Sequence, residues 1–123
     1  MKKKFYLSID LEEWYHLLYF KKYTNFRGED FFIFKINDFL NFLNKRQVKA
    51  TFFVLAELAE KYPSIIKQIY DNGHEIACHG YNHGLVNEKS VDQFVNELIK
   101  AKKIIEEIIE DKIYGYRAPC FSL

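Results

Sequence analysis

Short apolar runs alternate along this chain with longer stretches of helical period. Phe5, Leu7 and Ile9 recur at every second position, so Lys4 to Asp10 predicts a strand that Asp10 closes. Ala50 to Leu55 (A-T-F-F-V-L) is nearly continuous in apolar residues, the pattern of a strand buried on both faces. Glu75 to Cys78 predicts a third strand, and Ile113 to Arg117 a fourth that Pro119 ends. Between them lie helical patterns. Asn37 is a candidate N-cap for a helix presenting Phe39, Leu40, Phe42 and Leu43. Ala56 to Tyr62 stops before Pro63, and Ser64 to Asp71 turns Ile65, Ile66 and Ile69 inward before Asn72-Gly73. Ser90 and Gln93 form a capping box that opens the longest helix, about Val91 to Glu110. Its periodic apolar positions are Val91, Phe94, Val95, Leu98, Ile105, Ile108 and Ile109.

Strands that alternate with crossover helices imply a parallel α/β sheet, closed as a barrel or doubly wound. Leu11 to Phe34 fits neither period. It holds Trp14, Tyr15, Tyr19, Phe20, Tyr23 and Phe26, with a turn at Gly28, and is expected to be a loop with one short helix. A connection of that length is usually functional.

Composition narrows the field. The chain has 123 residues, 49% of them hydrophobic and 18% aromatic, which fits one domain or part of one and excludes disorder. Lys plus Arg is 18 against 17 acids, a net charge of +1, so no basic excess favours nucleic acid. After Met1 and three lysines the apolar run lasts only from Phe5 to Ile9, too short for a signal peptide, and no stretch is long enough for a membrane span. With Cys78 and Cys120 expected free, the expected location is the cytoplasm.

The polar residues of interest cluster at strand ends. Asp10, Glu12 and Glu13 follow the first strand, His79 and His83 follow the third, and Arg117 ends the fourth. In a parallel sheet those ends share one face. His79 and His83 have the spacing H-x-x-x-H, and on a helical turn such a pair faces one way. Two imidazoles with a carboxylate from Asp10 or Glu12 suit Zn, Fe, Mn, Co or Ni and leave coordination positions open. Each residue also has a plainer reading. Asp10 can cap a following helix, Glu12 and Glu13 can be solvated, and His16 is expected to pack beside Trp14 and Tyr15. Cys78 is expected to be a buried structural thiol. Arg117 is expected to orient a carboxylate.

Four segments together resemble a known family. Leu7–His16 (L-S-I-D-L-E-E-W-Y-H), Ala50–Leu55, Gly73–His83 (G-H-E-I-A-C-H-G-Y-N-H) and Tyr116–Ser122 (Y-R-A-P-C-F-S) look like successive motifs of the polysaccharide deacetylases, the NodB-homology superfamily or carbohydrate esterase family 4. The first motif resembles a subgroup that writes D-x-E-[DE]-W-[FY]-H. The resemblance implies a deformed (β/α) barrel, here a partial one of about four parallel strands. It implies removal of acetyl groups from N-acetylated sugars of a glycan with a divalent metal, Zn, Co or Ni.

Carried over by motif, Asp10 is the base, Arg117 holds it, and His79 and His83 are metal ligands. Leu11 stands where the common motif has its second Asp, so Glu12 is the expected third ligand. A backbone N–H near Cys120 or Phe121, beside Pro119, is expected to meet the oxyanion. Trp14 and Tyr15 are candidates to stack on sugar rings.

The family's later motifs include a histidine general acid, and no histidine follows His83 in these 123 residues. Residues 1–123 are thus expected to be a deacetylase domain without its C-terminal half. The unpaired edges of a partial barrel invite self-association or a second chain. The alternatives are an inactive remnant, a carbohydrate-binding module, or a metal-independent purine-ring amidohydrolase.

Overall fold

The structure is a computed structural model that describes residues 4–21 and 28–123. Met1 to Lys3, and Tyr23 and Phe26 of the aromatic segment, lie outside the described residues. Three parallel strands form one sheet in the order β1 (Leu7–Leu11), β2 (Ala50–Val54), β3 (Glu75–Cys78). Sequential order with parallel pairing is the start of a barrel-like winding rather than of a sheet whose order reverses. Leu11, Val54 and Cys78 stand in register at the C-terminal edge.

The expected fourth strand is reduced to a single parallel bridge between Cys78 and Tyr116. The Cys78 N–H donates to Gly115 (2.9 Å) and the Arg117 N–H donates to the Cys78 carbonyl (3.0 Å). Pro119 follows within two residues and contributes no donor, so the ladder stops there.

The helices are α1 (Leu18–Lys21), α2 (Phe32–Lys45), α3 (Ala56–Lys61), α4 (Pro63–Asp71) and α5 (Val91–Ile109). One core joins Phe52, Val54, Ile76 and Cys78 of the sheet to Ile36 and Leu40 of α2, Ile66 and Ile69 of α4, and Ile105 and Ile109 of α5. Burying a side chain of this size stabilises the fold by roughly 1.5–3 kcal/mol.

The strands are sided. β2 alternates buried Ala50, Phe52 and Val54 with half-buried Thr51 and Phe53, so the expectation of burial on both faces is corrected. In each strand the alternate residues (Ser8 and Asp10, Thr51 and Phe53) share the other face of the pleat, which carries the chemistry.

Two further expectations change. Helix α2 starts at Phe32, inside the segment expected to be loop, and Asn37 lies within the helix. The reason is a remote cap: the buried Glu13 carboxylate accepts the N–H groups of Phe31 (2.9 Å), Phe32 (3.0 Å) and Ile33 (2.8 Å). In α5 the buried stripe is Ala101, Ile105 and Ile109, while Val91 and Val95 are exposed at 78% and 43%. The Ser90–Gln93 capping box is present, with the Gln93 N–H donating to Ser90 Oγ at 3.2 Å.

Candidate functional site

The end of β1 delivers two acids to the C-terminal edge of the sheet. Asp10 is the last residue of β1 on the chemical face, and Glu12 is the first residue beyond the strand. Arg117 reaches both β1 positions on that face. Its Nη1–H donates to Asp10 Oδ1 (2.6 Å), its Nη2–H donates to Ser8 Oγ (2.8 Å), and its guanidinium lies over the Phe53 ring at 4.0 Å. One oxygen of Asp10 is thereby fixed by a charge-assisted bond, and the other, Oδ2, faces His79 Nε2 at 3.9 Å.

β3 delivers the histidines. The His79 N–H extends the β2 ladder by donating to the Val54 carbonyl at 2.8 Å. Its ring Nδ1 lies 2.8 Å from the Arg117 carbonyl. A carbonyl only accepts, so Nδ1 carries the proton and Nε2 keeps its lone pair. Burial pushes the His79 pKa down, against the pull of that carbonyl, Asp10 and Glu12, which favours the neutral ring.

His79 and His83 do not share a helical turn: the segment from Gly80 to Gly84 is a bend. Gly80 at φ +87° and His83 at φ +63° fold the chain back and bring the rings within 5.3 Å. The positive φ at Gly80 and the strained one at His83 do what helical spacing was expected to do.

His83 Nε2 lies 2.8 Å from Glu12 Oε2, and His79 Nε2 lies 3.9 Å from the same oxygen. The 2.8 Å approach pairs the two groups closely, yet its angles leave Glu12 Oε2 buried without a well-directed hydrogen bond among the described residues. Burial pushes the Glu12 carboxyl up, but His83, with His79 and His16, outweighs it and holds the group below its ordinary value. Ligand atoms of Glu12, His79 and His83 lie within 4.8 Å of one another. Two atoms each about 2.1 Å from one ion sit no more than about 4.2 Å apart, and both distances to Glu12 meet that limit. A carboxylate oxygen left unpaired beside two imidazoles fits a divalent cation.

The other expected residues divide. Pro119 is buried and packs within 3.6 Å of the place where a Gly80 Cβ would be. Cys120 is exposed and Phe121 is 81% exposed. The Phe121 N–H is spent on the Ala118 carbonyl (3.0 Å), which leaves the Cys120 N–H of that pair as the candidate oxyanion donor. Trp14 and Tyr15 belong to a neighbouring cluster. The Trp14 indole N–H donates to the Glu29 carbonyl (3.4 Å), and Gly28 runs so close to the indole that a Cβ there would clash at 1.9 Å. The Tyr15, Tyr62 and Lys61 side chains all donate to Asp30. Cys78 is buried, and burial pushes its thiol up to about 11, which suits the structural role expected of it.

Sequence reasoning missed the supports behind the site. Helix α3 donates the N–H groups of Ala56 and Glu57 to the carbonyls of Gly80 and Tyr81, both at 3.0 Å. From α5, Glu97 accepts from the Tyr81 N–H (3.5 Å) and pairs with Lys89 (2.7 Å), which donates to Gly84 (3.3 Å). Glu13 holds α2. The acid–x–x–His spacing of Glu13 and His16 was the one available signal, and the pair forms a capping box at the short turn Trp14–His16.

The comparisons agree with this geometry. The family profile described as polysaccharide deacetylase matches residues 35–122. A peptidoglycan-N-acetylglucosamine deacetylase of Bacillus cereus is 41% identical over 82 residues, which are 67% of this chain and 28% of that protein. The solved structure of a peptidoglycan N-acetylglucosamine deacetylase superposes with a TM-score of 0.74 at 31% identity, covering 96% of this chain and 47% of the other. A CE4 family pseudoenzyme from Bacillus anthracis superposes with a TM-score of 0.76 at 23% identity, over 96% of this chain and 36% of the other. The chain thus spans less than half the length of each. The profile match over most of the chain, a range that contains the histidines and the arginine the fold gathers at one strand edge, places this chain in the polysaccharide deacetylase family, the NodB-homology group of carbohydrate esterase family 4.

Proposed function

We propose that these residues form the water-activating part of a metal-dependent hydrolase that removes acetyl groups from an N-acetylated glycan. The observation that supports it most is Asp10, held by Arg117 through one oxygen, with its other oxygen aimed at the His79–Glu12–His83 cluster. Glu12 Oε2, His79 Nε2 and His83 would hold the cation. When bound, a divalent ion such as Zn, Co or Ni supplies Lewis-acid polarisation of the acetyl carbonyl and acidifies water.

Asp10 Oδ2 is the proton acceptor, since Oδ1 is occupied by Arg117. Arg117 keeps that carboxylate oriented. The Cys120 N–H is the donor we assign to the developing oxyanion. Protonation of the leaving amine falls to a group outside this cluster.

Metal content, with mass in solution, tests this first. About one Zn, Co or Ni per chain in a folded species, lost in His79→Ala, is expected, followed by amine release from chito-oligosaccharides that Asp10→Asn abolishes. Metal bound as tightly by His79→Ala as by the unaltered protein would overturn the assignment.

A further inference from the structure

The residues between the site and the helices form a closed ring. β1 ends at Leu11, which is fully buried. Glu13 is then pinned twice: its N–H donates to His16 Nδ1 at 2.8 Å, and its carboxylate takes three N–H groups at the start of α2. Glu12 is the single residue between these two fixed points. The peptide that carries the Glu13 N–H is also the peptide that carries the Glu12 carbonyl.

Because His16 Nδ1 accepts from that N–H, its proton lies on Nε2, which donates to Glu57 Oε1 at 3.1 Å. His16 is buried, at 2% exposure, so this tautomer is held on both sides. Glu57 sits in the first turn of α3, and its own N–H donates to the carbonyl of Tyr81, between the two histidines. The path therefore runs from Glu12 through Glu13, His16 and Glu57 to the His79–His83 bend.

We propose that His16 and Glu57 are positioning residues that set the distance between Glu12 and the two histidines, and so the affinity and geometry of the metal centre. The inference rests on the reading of Glu12, His79 and His83 as ligands. It gives the third residue of W-Y-H a task in a chain whose acidic ligand stands one place later than in the commoner motif. A ligand displaced along the loop needs its own brace. His16 makes no contact with substrate in this role and transfers no proton.

Titration of the full chain with Co2+, read by the visible absorption of the bound ion, tests it. Groups that hold metal ligands in place are typically worth 10–100-fold in affinity. Glu57→Ala is expected to weaken Co2+ binding by about 10-fold or more and to change the band pattern. Glu57→Gln, which keeps an oxygen acceptor for His16 Nε2–H but lacks the charge, is expected to stay within about 3-fold of the unaltered protein. His16→Leu is expected to behave as Glu57→Ala does. Ile69→Val, a core change in α4, controls for lowered stability and is expected to leave the spectrum alone.

Unchanged affinity and bands in Glu57→Ala would overturn the inference and leave the metal site standing. Equal weakening in Glu57→Ala and Glu57→Gln would also overturn it, because charge and not the hydrogen bond would then be at work. No Co2+ bound by the unaltered chain would remove the metal reading, and the positioning role with it.

Discussion

The Nδ1–H of His79 meets the main-chain carbonyl of Arg117 at 2.8 Å, across 38 residues of chain. Arg117 thus serves two residues with two different parts of itself. Its carbonyl sets the tautomer of His79, and its guanidinium holds Asp10. Arg117→Ala removes only the second service. We expect metal affinity to stay within about 3-fold while turnover falls by about 100-fold, the lower range for a misplaced general base. Metal titration beside steady-state kinetics separates the two. Loss of metal in Arg117→Ala would show that the side chain also supports the histidine.

Removing the remote cap of α2 should be costly. Glu13→Ala leaves three N–H groups at the start of α2 without their acceptor, that of Ile33 buried and those of Phe31 and Phe32 partly so. Loss of an ordinary cap costs about 1 kcal/mol, and each buried orphan group adds about 1–3 kcal/mol. We expect a loss of about 2 kcal/mol or more in urea unfolding, with Glu13→Gln losing less. A change under about 0.5 kcal/mol would mean that solvent reaches those amides.

Stability should fall on mild acidification. His74 is buried, its Nδ1 accepts from the Ala50 N–H at 3.2 Å, and burial with the nearby Lys49 pushes its pKa below 6.5. A depressed histidine pKa means that the unfolded chain binds the proton more readily. The stability is therefore fully present above about pH 6.5 and is lost as pH falls from there toward the folded value. His16 and His79 are shifted in the same direction and add to the slope. Unfolding midpoints measured between about pH 5 and 8 should rise with pH, and a flat profile would contradict the burial of these rings.

The two thiols should differ in reactivity. Cys120 is exposed, whereas Cys78 is buried with its thiol pushed up to about 11. At pH 8 about 0.1% of such a thiol is thiolate. Iodoacetamide should add one label rapidly and a second only on unfolding, as followed by intact mass. Two labels at equal rates would place Cys78 at the surface.

Much of this was legible in the residues because the signals were local. The strand at Glu75–Cys78 and the Ser90–Gln93 box depend on neighbours within a few positions, and both stand where the pattern put them. What the pattern concealed was non-local. The start of α2 is set by a carboxylate 18 to 20 residues away, so Asn37, a good cap by itself, marks nothing. The outer stripe of α5, with Val91 and Ile99 at 78% and 61% exposure, has the same period as a core stripe. Only the packing of Ala101, Ile105 and Ile109 against the sheet tells the two faces apart.

The candidate site shows the same division. The strand-end positions of Asp10, His79 and Arg117 were readable from order alone. The convergence of His79 with His83 was expected by helical logic and is achieved by a bend through Gly80. The spacing of Glu13 and His16 is a local signal, but the link from His16 to Glu57 spans 41 residues of chain, and no spacing rule announces it.

The sidedness of β1 has a consequence for how such a sequence can change. Ser8 and Asp10 face the guanidinium while Leu11 faces the core, and Asp10 stands opposite Phe53. Sliding β1 by one residue would exchange those faces and turn Asp10 into the oil of the interior. Odd-length insertions or deletions within β1 are therefore forbidden twice over, once by folding and once by chemistry. Drift on the oily side is free so long as volume is conserved. The alternation thus uncouples two kinds of selection within four residues, and mutational scans of Ser8 to Leu11 should split by parity, with activity lost at Ser8 and Asp10 and abundance lost at Ile9 and Leu11.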